Sequence, residues 1–231
     1  EDNFALKKFA GLIGAANVYF AKHVKEGDQD DILIREDKTP NTTGADVIGL
    51  VTIDENSLNE ILKSIRERRI KALFVMEEDI FSLSENFEEV INKIELLIVT
   101  ATNQNKTTQA AHILFPAATY AEKHGTFINF QGRVQRIRPA VATIEMDRAL
   151  DGMSMSRWDK FGTSFDRWMQ GKKYDAKPSW KIVTLIASKL GLKFKYDMAE
   201  EVFKDIANSI EAFQDLDYDK IGELGIQLKR E

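Results

Sequence analysis

The chain has 231 residues, 43% of them hydrophobic and 30% charged, enough to bury a core as one large domain or two small ones. A net charge of -5 and a pI near 5.4, with basic residues scattered rather than blocked, argue against a nucleic-acid surface. Cysteine is absent, which excludes disulfides, thiolate zinc sites, cysteine-ligated iron–sulfur clusters and a cysteine nucleophile within these residues. Three histidines (His23, His112 and His124) offer little for a histidine-rich metal site, so no metal ligands are expected. No apolar run reaches the ~18 residues of a membrane span, and nothing reads as a signal peptide. The start at Glu1, without methionine, reads as a fragment of something longer, N-terminal processing being the other explanation.

In chain order, residues 3–12 are predicted helical, with Gly11 and Gly14 as the stop. Residues 26–49 are polar and rich in turn formers, a long irregular connection carrying at most one short strand, Ile32 to Arg35. Behind Asp54 and Ser57, the residues Leu58, Ile61, Leu62 and Ile65 recur at helical spacing. Ala72–Met76 is short, continuous and apolar, as a strand covered on both faces would be. Phe87, Val90, Ile91 and Ile94 repeat the helical spacing behind Ser84. Leu96–Ala101 is a second buried strand, Thr107–Ala111 a small-residue helix or turn, and Ile113–Phe115 a third strand. Strands alternating with helices across short connections predict a doubly wound α/β fold with a mainly parallel sheet.

Past Ile113 the chain runs through Pro116 and a charged step into a glycine-punctuated hairpin ending near Arg138. Beyond Pro139 the pattern turns helical. Trp158, Phe161, Phe165 and Trp168 form one helical stripe, with Met169 beside it. Residues 179–190 predict a helix capped by Ser179 and stopped by Gly191, Glu200 to Ile210 a second, and Asp217–Leu224 a short third. The expected organisation is 1–50 as an N-terminal helix and irregular segment, 51–140 as the α/β unit, and 141–231 as a helical C-terminal extension.

Open α/β sheets bind ligands beyond the carboxyl ends of their strands. The loop after the first long strand reads Glu77-Glu78-Asp79. A phosphate needs close backbone approach and a positive field, and three acids oppose it, so dinucleotide binding is not expected at this loop. There is no G-x-G-x-x-G, no Walker-type loop and no nucleophile elbow, and no catalytic residue is predicted. His112 reads as a hydrogen-bonded structural residue, and His124, before Gly125, as a group titrating near neutrality. Arg133, Arg136 and Arg138 with Lys123 form either a local anion site or an outward row paired with surface acids.

Ala111, Pro116, Ala117, Glu122, Lys123, Gly125, Thr126, Asn129, Gly132, Arg133 and Gln135 match a spaced motif. This stretch resembles a segment of the molybdopterin oxidoreductase superfamily, whose formate dehydrogenase/DMSO reductase-like domain is doubly wound. The opening (Asn17, Thr39-Pro40-Asn41, Gly44-Ala45, Gly49-Leu50) is similar to the large iron–sulfur subunit of respiratory NADH–quinone oxidoreductase, complex I. So is the ending: Trp180 onward, Ala199-Glu200-Glu201-Val202-Phe203, and Tyr218 with Ile221-Gly222. Departures accompany the match. The family's glycine and Asn-Pro after the first strand are here Glu77-Glu78-Asp79, the Thr100–Thr108 stretch lacks its acid, and the aspartate before Leu-Pro is His112.

The resemblance implies, first, a cofactor-free structural domain of that large subunit, with no chemistry of its own and iron–sulfur clusters carried upstream. Its partners would be other subunits of a respiratory complex. The protein would be cytoplasmic, held to the inner membrane through its complex and not inserted in it. The alternative implied is a molybdopterin guanine dinucleotide-binding domain of a formate dehydrogenase-like enzyme. There Lys123, Gly125, Thr126, Asn129, Arg133 and Gln135 would contact the cofactor.

Overall fold

The computed structural model describes residues 1–15, 17–141, 143 and 175–228. The expected aromatic stripe from Trp158 to Trp168 lies outside the described residues. The fold is mixed α/β, with parallel sheets and C-terminal helices.

Helix α1 (Asp2–Leu12) ends against Gly14, whose φ of 71° suits a residue without Cβ. Strand β1 (Tyr19–Phe20) pairs in parallel with β2 (Val51–Thr52). Between them, the expected Ile32–Arg35 strand is not formed. Asp30 Oδ1 instead accepts the N–H groups of Ile32, Leu33 and Ile34 at 2.6–2.9 Å and closes a turn. The same connection holds a helix that sequence periodicity does not reveal, α2 (Thr42–Val47), buried at Gly44 and Ala45. Threonine, glycine and valine are weak helix formers, so packing decides here.

Helix α3 (Glu55–Arg66) starts at a reciprocal cap: Asp54 Oδ1 accepts the Ser57 N–H, and Ser57 Oγ accepts the Asp54 N–H. Strands β3 (Ala72–Met76), β4 (Leu96–Ala101) and β5 (Ile113–Pro116) form a three-stranded parallel sheet in that order. The connections are α4 (Ile80–Leu83), α5 (Phe87–Val90) with one 3₁₀ turn, and α6 (Lys106–Ala110). The predicted 87–94 helix thus shortens to one α turn before the 3₁₀ turn. One sheet face is well covered: Val75, Leu97 and Val99 pack with Leu62, Ile65, Ile80, Phe87 and Val90.

The other face meets α1 and the C-terminal helices α7 (Ser179–Lys189) and α8 (Ala199–Ser209). Phe74 stands edge-on to Phe9 at 6.5 Å, and Phe4, Trp180, Val183 and Phe203 belong to the same apolar cluster as Phe9. Ser179 does not cap α7 as expected. Pro178 holds the cap position, and the Ser179 hydroxyl turns toward the sheet instead. The hairpin of β6 (Gly125–Ile128) and β7 (Arg133–Ile137) is antiparallel, and a third strand, β8 (Ile226–Gln227), adds to β7. A short helix, α9 (Tyr218–Ile221), capped by Asp217, precedes it.

Candidate functional site: the strand ends of the parallel sheet

The carboxyl ends of β3 and β4 lie beside a buried lysine. Lys123, 7% exposed, lies at the entry to the hairpin, and its Nζ donates to Asp2 Oδ2 at 2.6 Å and Glu77 Oε1 at 3.2 Å. Ser179 Oγ donates to the same Glu77 oxygen at 2.7 Å and contacts Thr100 Oγ1 at 3.3 Å. The other Asp2 oxygen accepts the Trp180 N–H at 2.7 Å. Burial opposes the Lys123 charge, but Asp2 and Glu77 outweigh it and hold the ammonium above the usual lysine range. Asp2 is likewise disfavoured by burial, yet Lys123 draws its carboxyl below the ordinary aspartate value of 3.8.

Each acid of the 77–79 loop has a separate structural task. Glu77 takes a left-handed φ of 54° while its N–H donates to Thr100 O. Glu78 pairs with His23 Nε2 at 2.9 Å. Asp79 caps α4 and accepts from Thr107 Oγ1 at 2.6 Å. No group of three metal-capable side chains occurs among the described residues.

The predicted hairpin residues are not brought together as one open cradle. Gly125 leaves room for Glu1, whose Oε2 would lie 3.1 Å from an added Cβ and accepts the Thr126 N–H at 2.9 Å. Tyr218 donates to the other Glu1 oxygen at 2.6 Å. Asn129 Oδ1 accepts the N–H groups of Gln131 and Arg133 and fixes the turn. The Arg133 guanidinium donates to the Leu224 and Gly225 carbonyls, fastening β8 beside the hairpin. Gln135 is exposed on β7. Of the other arginines, Arg136 lies 4.3 Å over the Tyr218 ring and Arg138 pairs with Glu223 at 2.6 Å. His112, as expected, is structural: its Nδ1 accepts the Leu97 N–H at 2.9 Å. His124 differs from expectation, because partial burial and then Arg136 and Arg138 push its pKa below the ordinary histidine range.

A pyrophosphate requires free N–H donors and uncompensated positive charge. At this edge Lys123 is already matched by two carboxylates, and Arg133 by two carbonyls. The Lys123 charge is thus compensated, whereas Arg133 is engaged only by neutral carbonyls and Arg136 lies over the Tyr218 ring. The acidic loop was legible in the sequence. The contributions of Glu1, Asp2, Ser179 and Tyr218 were not, since these residues are remote from the motif in the chain.

A family model described as Molybdopterin oxidoreductase matches residues 8–149. The chain belongs to that family. Among its relatives are two alpha subunits of F420-dependent formate dehydrogenases from Methanococcus maripaludis. They are 29% identical over 74% of this chain and 28% identical over 73%. The alpha subunit of an NADPH-Fe(3+) oxidoreductase from Geobacter sulfurreducens is 36% identical over 36% of the chain. The matched stretches cover 22%, 21% and 10% of those three proteins, so the chain spans about a fifth or less of their length. None of the helices among the described residues is long and apolar enough to cross a membrane.

Removing one member of a buried ion pair leaves the others uncompensated and costs about 3–5 kcal/mol. Lys123→Met should lose stability on that scale in urea denaturation, whereas Gln135→Ala on the exposed strand face should lose little. For Asp2 the folded pKa is depressed, so its stabilisation is complete above 3.8 and is lost as the pH falls through the lower folded value. Stability measured across pH should therefore show a decline below about pH 4 that is reduced in Asp2→Asn.

Proposed function

We propose that this chain is part of the large subunit of a formate dehydrogenase-like molybdopterin oxidoreductase. The observation that carries this reading is the alignment of about three quarters of the chain with the two formate dehydrogenase alpha subunits. Within such a subunit this part acts through packing. The strand ends, hairpin and α7 brace one another, and a pterin dinucleotide would be held by residues outside this edge. A direct-contact form of the reading assigns the cofactor to Lys123, Gly125, Thr126, Asn129, Arg133 and Gln135. The existing partners of Lys123, Thr126, Asn129 and Arg133 weigh against it.

A second reading is a cofactor-free domain in the large iron–sulfur subunit of an NADH–quinone oxidoreductase, working with the other subunits of a cytoplasmic, membrane-peripheral arm. The specific observation favouring it is that the buried Lys123 ammonium is already engaged by two carboxylates, Asp2 and Glu77. Relatives named for formate dehydrogenase favour the first.

Purifying the full-length natural protein and measuring its molybdenum and pterin content separates the two. The first reading predicts stoichiometric molybdenum and reduction of the enzyme's redox centres by formate. Iron–sulfur clusters without molybdenum or pterin would overturn it in favour of the second.

A further inference from the structure

The parallel sheet has an edge left open beside an empty slot. In the β3–β4 ladder, Lys71 O accepts the Leu96 N–H and the Glu77 N–H donates to Thr100 O. The alternation of a parallel ladder then turns the N–H and C=O groups of Ala72, Phe74 and Met76 to the opposite side. Strand β1 mirrors this: Val18 O and Phe20 O accept from Val51 and Ile53, so the polar groups of Tyr19 face away from β2. Among the described residues no backbone pairs with either free edge. The far edge of the sheet differs, because β5 ends in Pro116 and Ala117 forms a bridge to Lys177.

One cavity of about 1230 Å³ is lined by all of β3 and by residues 18–21 around β1. Its lining is mostly apolar and includes Phe9, Ile13 and Ile61, and it extends to charged residues such as Glu60, Arg69 and Lys123. That volume exceeds the roughly 300–1,000 Å³ typical of small-molecule pockets. The sequence of β3 is that of a strand covered on both faces, yet only Val75 is buried. Neither β3 nor β1 carries the lysine or proline that usually guards an exposed edge. Strand β2 leads through α3 to β3, the connection that joins parallel strands of one sheet.

We infer that the slot is a strand-addition site, filled by one extended apolar segment of the parent polypeptide from outside residues 1–231. Lying between β1 and β3, the segment takes up the unpaired groups of Tyr19, Ala72, Phe74 and Met76 and joins the two parallel sheets into one. Its length matches β3 and β4, five and six residues. Burial on both faces demands a continuous apolar run rather than an alternating one. The inference rests on the reading of the chain as part of a longer oxidoreductase subunit, whose relatives extend far beyond the matched stretch.

The test places the photocrosslinking residue p-benzoylphenylalanine at position 19 of the full-length natural protein and maps the adducts by mass spectrometry. The expected adduct lies in an apolar segment outside residues 1–231. Ala72→Pro removes a free-edge N–H without touching the β4 ladder, and should cut its yield about tenfold. Ala72→Gly, which keeps the N–H, should not. Adducts confined to residues 1–231, adducts to a second copy, or a yield indifferent to Ala72→Pro would overturn the proposal. The oxidoreductase reading fails separately, on molybdenum and pterin content, and the crosslink does not depend on that result.

Discussion

A lysine ammonium buried between two carboxylates ties together parts of the chain that share no local sequence. Lys123 belongs to the hairpin entry, Glu77 to the loop after β3 and Asp2 to the first turn of α1. Ser179 and the Trp180 N–H bring the start of α7 to the same carboxylates. Burying any one of these charges alone would be costly, and together they are satisfied. The left-handed backbone of Glu77 belongs to the same arrangement, because a non-glycine residue holds that conformation only where its surroundings fix it. This cluster sets α1 and α7 against the second face of the sheet, and the cluster around Phe9, Trp180 and Phe203 forms beneath them.

The same charges shape what the strand ends can do. In an open parallel sheet this is where a ligand is expected. Here the buried Lys123 ammonium is held by Asp2 and Glu77, and the Arg133 guanidinium is engaged by two backbone carbonyls. The chain belongs to the molybdopterin oxidoreductase family, and at this edge its Lys123 ammonium is held by Asp2 and Glu77. In the hairpin, Asn129 fixes the turn, Gly132 takes a positive φ of 86° and Gly125 admits the approach of Glu1.

What could be read from the sequence was what depends on neighbours in the chain. The period of Leu58 to Ile65, the apolar runs of β3 and β4, and the glycine-marked hairpin all encode structure within about a dozen residues. The Lys123–Asp2 contact spans 121 positions and has no local signature. Serine is a favoured N-cap residue, but the Ser179 hydroxyl is drawn to Glu77 and Pro178 holds the cap position. Ile32 to Arg35 has strand composition, but Asp30 supplies a competing acceptor for three of its N–H groups. Helix α2 and the two-residue β8 are too short for periodicity to reveal. The motif in the hairpin identified the family, whereas the partners of its residues came only from tertiary structure.

Whether the Lys123 ammonium is available to an anion decides whether this edge is closed. Selective ¹³C labelling of lysine, with the Lys123 Cε resonance assigned by Lys123→Arg, follows this group directly while inorganic pyrophosphate or GDP is added. A resonance that stays fixed through millimolar additions, and remains that of a charged amine at alkaline pH where the other lysines titrate, is the predicted result. A saturable shift of Lys123 on adding either anion would contradict the closed-edge account.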